Sequence, residues 1–331
     1  MTTFRAYEVS EIEDNLFRGI AVEKKLDDLP AGEVLVKVSY SSLNYKDALS
    51  ASGNKGVTRN YPHTPGIDVA GVVKQSSVSQ FMAGDSVIVS GYDLGMNTAG
   101  GFAEYIRVPA AWVLPLPEGL DALAAMQLGT AGFTAAFCLE KLLANGLEPD
   151  QGEVLVTGAT GGVGIIAVML LAKAGFQVAA STGKLSHDEW LRRCGASTVL
   201  DRSELGEASA KPLLEERWAG AVDVVGGDTL FNVIKSLQSG GSVTACGLVQ
   251  SPYFQASVLP FILRGVNLLG IDSVELPLAT KQAIWQRLAG DWKLDGLNRI
   301  TTVIGFGELE QSLTAVLQGG AVGRFVFDPA A

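Results

Sequence analysis

The sequence predicts two domains, one β-rich and one α/β with a doubly wound parallel sheet, and three observations lead there. The chain has 331 residues, more than one hydrophobic core usually serves. About the first 120 residues form short β-rich runs broken by turn residues, and from Gly129 strands alternate with helical segments. The last stretch is strand-like again, which lets the C-terminus return to the first domain and make it discontinuous. The predicted boundaries are 1–128 with 299–331 for the β-rich domain and 129–298 for the α/β domain.

In the first part, E-V-L-V-K-V-S-Y (33–40), D-V-A-G-V-V-K (68–74), D-S-V-I-V-S (85–90) and F-A-E-Y-I-R-V (102–108) are strands, most of them antiparallel by their alternation and turn spacing. Then come helices over A-G-F-T-A-A-F-C-L-E-K-L-L, G-V-G-I-I-A-V-M-L-L-A-K-A and D-E-W-L-R-R-C. Strands E-V-L-V-T, Q-V-A-A-S, S-T-V-L-D, V-D-V-V-G, S-V-T-A-C-G and N-L-L-G-I alternate with the helical segments. A further helix covers about 279–288, and the chain closes on T-T-V-I-G-F, another helix and G-R-F-V-F-D-P.

The densest signal is V-T-G-A-T-G-G-V-G at 156–164, between a strand and a helix. Gly158, Gly161 and Gly164 form G-x-x-G-x-x-G, a variant of the dinucleotide turn. Glycine there allows the tight turn, removes the Cβ that would block a pyrophosphate and lets helix pack on strand, while the helix N-terminus supplies N–H groups. About twenty residues on, where an NAD-binding chain places a carboxylate for the adenosine ribose, the sequence reads S-T-G-K. Thr182 and Lys184 suit a 2′-phosphate, Arg202 is a second candidate, and NADPH is therefore expected over NADH. The turn also matches T-G-x-x-x-G-x-G of short-chain dehydrogenases. Those enzymes carry it near the N-terminus and use a Tyr-x-x-x-Lys pair, and none of the seven tyrosines here has a lysine four residues on.

Bulk properties exclude several classes. A net charge of −10 and a pI near 4.8 oppose binding to nucleic acid or anionic membranes. Hydrophobic residues make up 47% and mean hydropathy is +0.26, which fits a globular protein. Two uncharged stretches, Ala122 to Leu139 and Val154 to Ala172, carry glycines or polar residues that fit buried elements better than membrane spans. Cys138, Cys194 and Cys246 lie far apart, only His63 and His187 accompany them, and no zinc site is expected. The N-terminus lacks a signal pattern, so a cytoplasmic location is expected.

Several motifs together carry a resemblance: S-S-L-N-Y-K-D-A-L, Y-P-H-T-P-G-I-D-V-A-G, L-G-T-A-G-F-T-A, the glycine turn and P-F-I-L-R-G-V-N-L-L-G-I-D-S. The chain resembles the zinc-independent medium-chain dehydrogenase/reductase superfamily, within it the bacterial acrylyl-CoA reductase (YhdH/YhfP-type quinone oxidoreductase) family. The resemblance implies a GroES-like catalytic domain and a Rossmann cofactor domain. Zinc-containing relatives have cysteine in place of Asn44 and G-H-E in place of Gly66-Ile67-Asp68, so a metal-free enzyme is implied. Reduction of an activated C=C bond fits this better than alcohol oxidation, which needs a Lewis acid for its alkoxide.

By the same resemblance Tyr45 lies beside the nicotinamide, Thr160, Gly161, Gly162 and Val163 hold the pyrophosphate, and Thr182, Gly183, Lys184 and Arg202 hold the adenosine phosphate. Leu248, Ile262, Ser273 and Arg324 complete the cofactor set. Asn44 and Asp47 share one helix face at i, i+3 spacing. Asn44 is a candidate to bind substrate or cofactor, and Asp47 or Tyr45 to relay a proton. The expected reaction is NADPH-dependent reduction of acrylyl-CoA to propanoyl-CoA, with a quinone or small enone as alternative substrate and a non-catalytic NADPH-binding redox sensor as alternative function. Lys55, Arg59, Arg264 and Arg324 are candidate contacts for a CoA thioester, and the expected partner is a second copy in a homodimer.

Overall fold

The computed structural model describes residues 2–206 and 209–331. By packing, the chain divides into one unit of Met1–Thr130, Val274–Asp291 and Asp295–Ala331, and another of Ala131–Ser273 with Trp292–Leu294. The segment Val274–Asp291 falls inside the 129–298 range read from the sequence as α/β, yet it packs in the first unit. Its Lys281, 1% exposed, donates to the Ser90 carbonyl at 2.8 Å and lies 3.5 Å from the centre of the Tyr92 ring.

The first unit is built on a seven-stranded sheet. In order it runs Thr301–Ile304, Arg324–Phe327, Val34–Ser42, Asp68–Ser76, Ser86–Ser90 and Val113–Pro115, with Tyr105–Val108 also paired to Val34–Ser42. Alternation explains its core: Val34, Val36 and Val38 point into one cluster with Val69, Val87, Val89 and Ile106, while Leu35 between them packs on Phe4 and Ala6. The last strand pairs antiparallel through Val326 and Phe327 with Ser42 and Ser41. This pairing delivers Arg324 to the end of the strand that precedes Asn44. A hairpin of Thr3–Glu13 and Leu16–Lys25, absent from the sequence reading, covers part of this unit. Its register is marked by Gly19, where the Tyr7 ring lies on the bare backbone.

The second unit holds a six-stranded sheet in which every pairing is parallel: Thr198–Asp201, Gln177–Thr182, Glu153–Val156, Trp218–Asp223, Leu237–Ala245 and Asn267–Gly270. Numbered along the chain this order is 3-2-1-4-5-6, that of a doubly wound dinucleotide-binding sheet. Val154, Leu155 and Val156 are all fully buried, as expected of a strand covered on both faces. The fourth strand lies earlier than the predicted V-D-V-V-G. It ends at Asp223 because Gly226 and Gly227, at φ 74° and 58°, turn the chain into the helix Gly227–Ser236. The helix Ala122–Ala144 breaks at Gly129 (φ 52°). It is long and apolar enough to cross a membrane, but 78% of its most apolar window is buried inside the protein.

Candidate functional site

In the second unit the switch in strand order falls between Glu153–Val156 and Trp218–Asp223, and the glycine turn emerges there. Ligands of open α/β sheets bind in the crevice at this place. The three glycines serve three different needs. Gly158 takes φ 59°, which disfavours a side chain. Gly164 lets helix pack on turn, since a Cβ there would collide with the Gly158 carbonyl oxygen and lie 2.8 Å from Ala159 Cα. Gly161, the N-cap of helix Gly162–Lys173, has an ordinary extended backbone (φ −80°, ψ 174°), and a Cβ there would meet only the Gly158 oxygen at 3.3 Å. Its missing side chain therefore leaves open space before the first N–H groups of a helix, the cradle a phosphate requires. The residues present fit a dinucleotide.

Thr160, Thr182, Gly183, Lys184 and Arg202 are brought together next to this turn. Thr160 and Thr182, both buried, share a hydroxyl hydrogen bond of 3.0 Å, and the Thr182 oxygen accepts the Lys184 N–H at 3.0 Å. The Thr182 hydroxyl thus ties the glycine turn to the next strand and to the Lys184 backbone. Lys184 and Arg202 carry the charge. Arg202, exposed, lies across Gly183, where a Cβ would stand 2.8 Å from its Cδ and Nε. Partial burial, then the Arg202 charge, hold the Lys184 ammonium below its ordinary pKa. Two converging cations of this kind are stabilised by an anion.

In the first unit, Asn44, Tyr45 and Asp47 open the helix Tyr45–Ala51. Asp47 is fully buried and accepts the N–H groups of Asn44 (2.8 Å), Gly66 (3.1 Å) and Ile67 (2.9 Å). Burial, with the nearby Asp68 charge, pushes its pKa up to about 7, against the pull of the Asn44 and Ile67 amides. Its two oxygens accept three backbone N–H groups and so fix the start of the helix. Asn44 donates through Nδ2 to Asp68 Oδ2 at 2.8 Å, and its Oδ1 faces Arg324 Nη1 at 3.5 Å. Tyr45 is half-buried and makes no side-chain hydrogen bond among the described residues.

The centre of this cluster is Asp68, which the sequence reading did not single out. Ser42 Oγ donates to it in a short hydrogen bond, and Thr130 gives both its N–H (2.7 Å) and its hydroxyl (2.6 Å). Position 129 takes only glycine here: its φ is positive, and a Cβ would strike Ser42 Oγ and lie 2.8 Å from Asp68 Oδ2. Arg324, 3% exposed, donates to the carbonyls of Gln127 and Leu43 at 3.1 Å each, and its Nη2 has no partner among the described residues. Burial lowers its pKa to about 10 against the charges of Asp68 and Asp47, so it remains a cation at neutral pH.

Other expected residues fare differently. Leu248 and Ile262 are 52% and 69% exposed. Ser273 accepts from Thr134 Oγ1 at 2.8 Å. Arg264 is occupied by the carbonyls of Lys235, Leu237 and Leu214 and by Glu216, so it is no free surface cation, and buried Arg324 is not one either. Lys55 and Arg59 are exposed, Lys55 with its ammonium over the Phe17 and Tyr61 rings.

The positions that hold zinc in metal-containing relatives do not fit that ion here. Ile67 offers no donor atom, the Asn44 amide donates rather than ligates, and Asp68 is filled by four protein donors. Among the described residues no three His, Cys, Asp or Glu side chains are grouped to hold a metal.

Residues 30–118 match the family model of the alcohol dehydrogenase GroES-like domain, and residues 162–289 that of the zinc-binding dehydrogenases. Acrylyl-CoA reductase AcuI of Ruegeria pomeroyi is 44% identical over 98% of this chain and 99% of its own length. The putative quinone oxidoreductase YhfP of Bacillus subtilis is 44% identical over 94% and 98% of the two chains, and the structure of YhfP with NAD bound matches at TM-score 0.95. YhdH of Escherichia coli K-12 with bound NADPH matches at TM-score 0.94 and 41% identity, over 98% of this chain and 99% of that one.

Proposed function

The chain belongs to the medium-chain dehydrogenase/reductase family, and we propose on that premise that it is an NADPH-dependent oxidoreductase reducing an activated C=C bond, with acrylyl-CoA as the leading substrate. The observation that carries the reading is the glycine turn at the switch point with Lys184 and Arg202 converging beside it. NADPH, when bound, supplies the hydride that goes to the β carbon. Gly161, Gly162 and Val163 hold the pyrophosphate by backbone, and Lys184 and Arg202 hold the 2′-phosphate. Arg324 Nη2 offers a charged donor to an anionic oxygen of cofactor or substrate.

Of the three candidates after the Val34–Ser42 strand, Tyr45 has the available hydroxyl, and we assign to it the donor role toward the substrate carbonyl or the α carbon. Asn44 and Asp47 position it, the first by linking Asp68 to Arg324 and the second by fixing the start of the helix. Lys55 and Arg59 remain as candidate contacts for the phosphates of a CoA thioester. A second copy of the chain is the proposed partner, supported by the edge strand Asn267–Gly270 and by exposed Leu268, Ile262, Leu263 and Val258 nearby in sequence.

Steady-state oxidation of NADPH with acrylyl-CoA, crotonyl-CoA and a quinone tests this reading. The highest kcat/KM is expected with acrylyl-CoA, at a rate that exhaustive chelation leaves unchanged, and Tyr45→Phe should lower kcat by roughly 10²-fold. A preference for the quinone would move the substrate to that class, and inactivity on all three with tight NADPH binding would favour a non-catalytic redox sensor.

A further inference from the structure

Side-chain hydrogen bonds of Thr157 cross the switch point of the parallel sheet. Thr157, the residue after the first strand of that sheet, donates its hydroxyl to Asp223 Oδ1 at 2.7 Å, and Asp223 ends the neighbouring strand. The same Thr157 oxygen accepts the Val224 N–H at 3.1 Å, and Asp223 Oδ2 accepts the Gly226 N–H at 2.8 Å. The Asp223 carbonyl takes the Cys246 N–H at 3.0 Å and its thiol at 3.4 Å, and Gln250 N–H reaches the Val225 carbonyl at 2.8 Å. Three strand-end turns are therefore fastened around one residue, and they touch: a Cβ on Gly247 would collide with the Val224 backbone.

Asp223 is fully buried, and burial raises its pKa. Leaving a carboxylate in such a place costs free energy that an apolar residue would not. It sits at the strand end beside the switch in strand order. We propose that Asp223 is a positioning residue for the cofactor: with Thr157 it sets the spacing of the two strand ends beside which the dinucleotide lies. The inference rests on the cofactor reading above. Loss of the bond lets the Gly158 turn and the Gly226 turn move independently, which weakens NADPH binding and leaves the chemical step alone.

The test compares Thr157→Val, Thr157→Ser, Asp223→Asn and the Thr157→Val/Asp223→Asn double variant, by NADPH Kd from fluorescence titration, apo-protein Tm, and kcat with KM for NADPH. Thr157→Val and Asp223→Asn should each raise Kd and KM at least about tenfold with kcat within about threefold of wild type. The double variant should lie within about twofold of the worse single one, because both remove the same bond. Thr157→Ser keeps the hydroxyl and should stay within about twofold of wild type. Unchanged Kd in Thr157→Val and Asp223→Asn, fully multiplicative losses in the double variant, or equal losses for Ser and Val would overturn the inference. If Asp223→Asn does not fold, the Ser and Val pair still decides. Wild-type protein that binds neither NADPH nor NADH would instead defeat the cofactor reading itself and this inference with it, a result visible without any substitution.

Discussion

Two turns that each lead from a strand into a helix, Ser42–Tyr45 in the first unit and Thr157–Gly162 in the second, are built in opposite ways. The first is packed with polar side chains: Ser42, Asn44, Asp68, Thr130 and Arg324 are joined by hydrogen bonds, and Asp47 accepts backbone N–H groups beside them. The second is stripped of side chains at Gly158, Gly161 and Gly164, and presents backbone. A network of that kind fixes the start of the helix that Tyr45 opens, whereas a bare turn binds an anion by N–H groups alone. Both turns share one device. A buried carboxylate braces each: Asp47 accepts the backbone N–H groups of Asn44, Gly66 and Ile67, and Asp223 accepts the Thr157 hydroxyl.

The contrast breaks most severely at Arg324. Arg324→Met leaves Asp68 and Asp47 without their cation and frees the carbonyls of Leu43 and Gln127, so stability measured by denaturant titration should fall by about 3–5 kcal/mol. A loss below about 1 kcal/mol would mean that the network does not depend on its charge.

A pH series sharpens the same side. Because the folded pKa of Asp47 is raised toward about 7, the folded state keeps a proton that the unfolded chain releases near 4. Its stabilising contribution is present below the unfolded value and is lost as pH rises toward 7. Relative to Asp47→Asn, which does not titrate, wild type should therefore lose roughly 2–3 kcal/mol between about pH 5 and pH 7. Parallel stability curves for the two proteins would contradict this.

On the glycine side, Gly164→Ala and Gly161→Ala should part company. The first forces a Cβ against backbone and should lower apo stability by about 1–3 kcal/mol. The second should leave Tm within about 3 °C of wild type while weakening NADPH binding at least about tenfold, because its methyl group enters the cradle. A positive φ at Gly161, which would also make a β-branched residue there strained, is not what the structure has: Gly161 lies at φ −80° and the positive φ of this turn is at Gly158, so the sensitivity of Gly161 comes from space and not from strain.

The smallest effect is expected at the adenosine end. Lys184→Ala should weaken NADPH binding by about 1–2 kcal/mol with little change for NADH. Arg202→Ala should act in the same direction, and Thr182→Val should harm both cofactors alike, since that hydroxyl braces the turn. Equal losses of NADPH and NADH in Lys184→Ala would remove the 2′-phosphate assignment.

The sequence by itself determined the class of each unit and the place of the dinucleotide turn, because those depend on local periodicity and on glycines spaced within a single turn. Val34, Val36 and Val38 announce an inward face, and Gly158 to Gly164 sit between an apolar strand and an apolar helix. Only the tertiary structure decided what the polar residues do. Asp68 meets Ser42 across 26 positions and Thr130 across 62, Asn44 meets Arg324 across 280, and Thr157 meets Asp223 across 66. No local pattern marks such partners, since a carboxylate at a strand end reads the same whether solvent or a distant hydroxyl awaits it. Asp47 and Thr182 show the same limit: each has the right chemistry for a ligand, and the fold also gives it backbone and side-chain partners that the sequence does not mark.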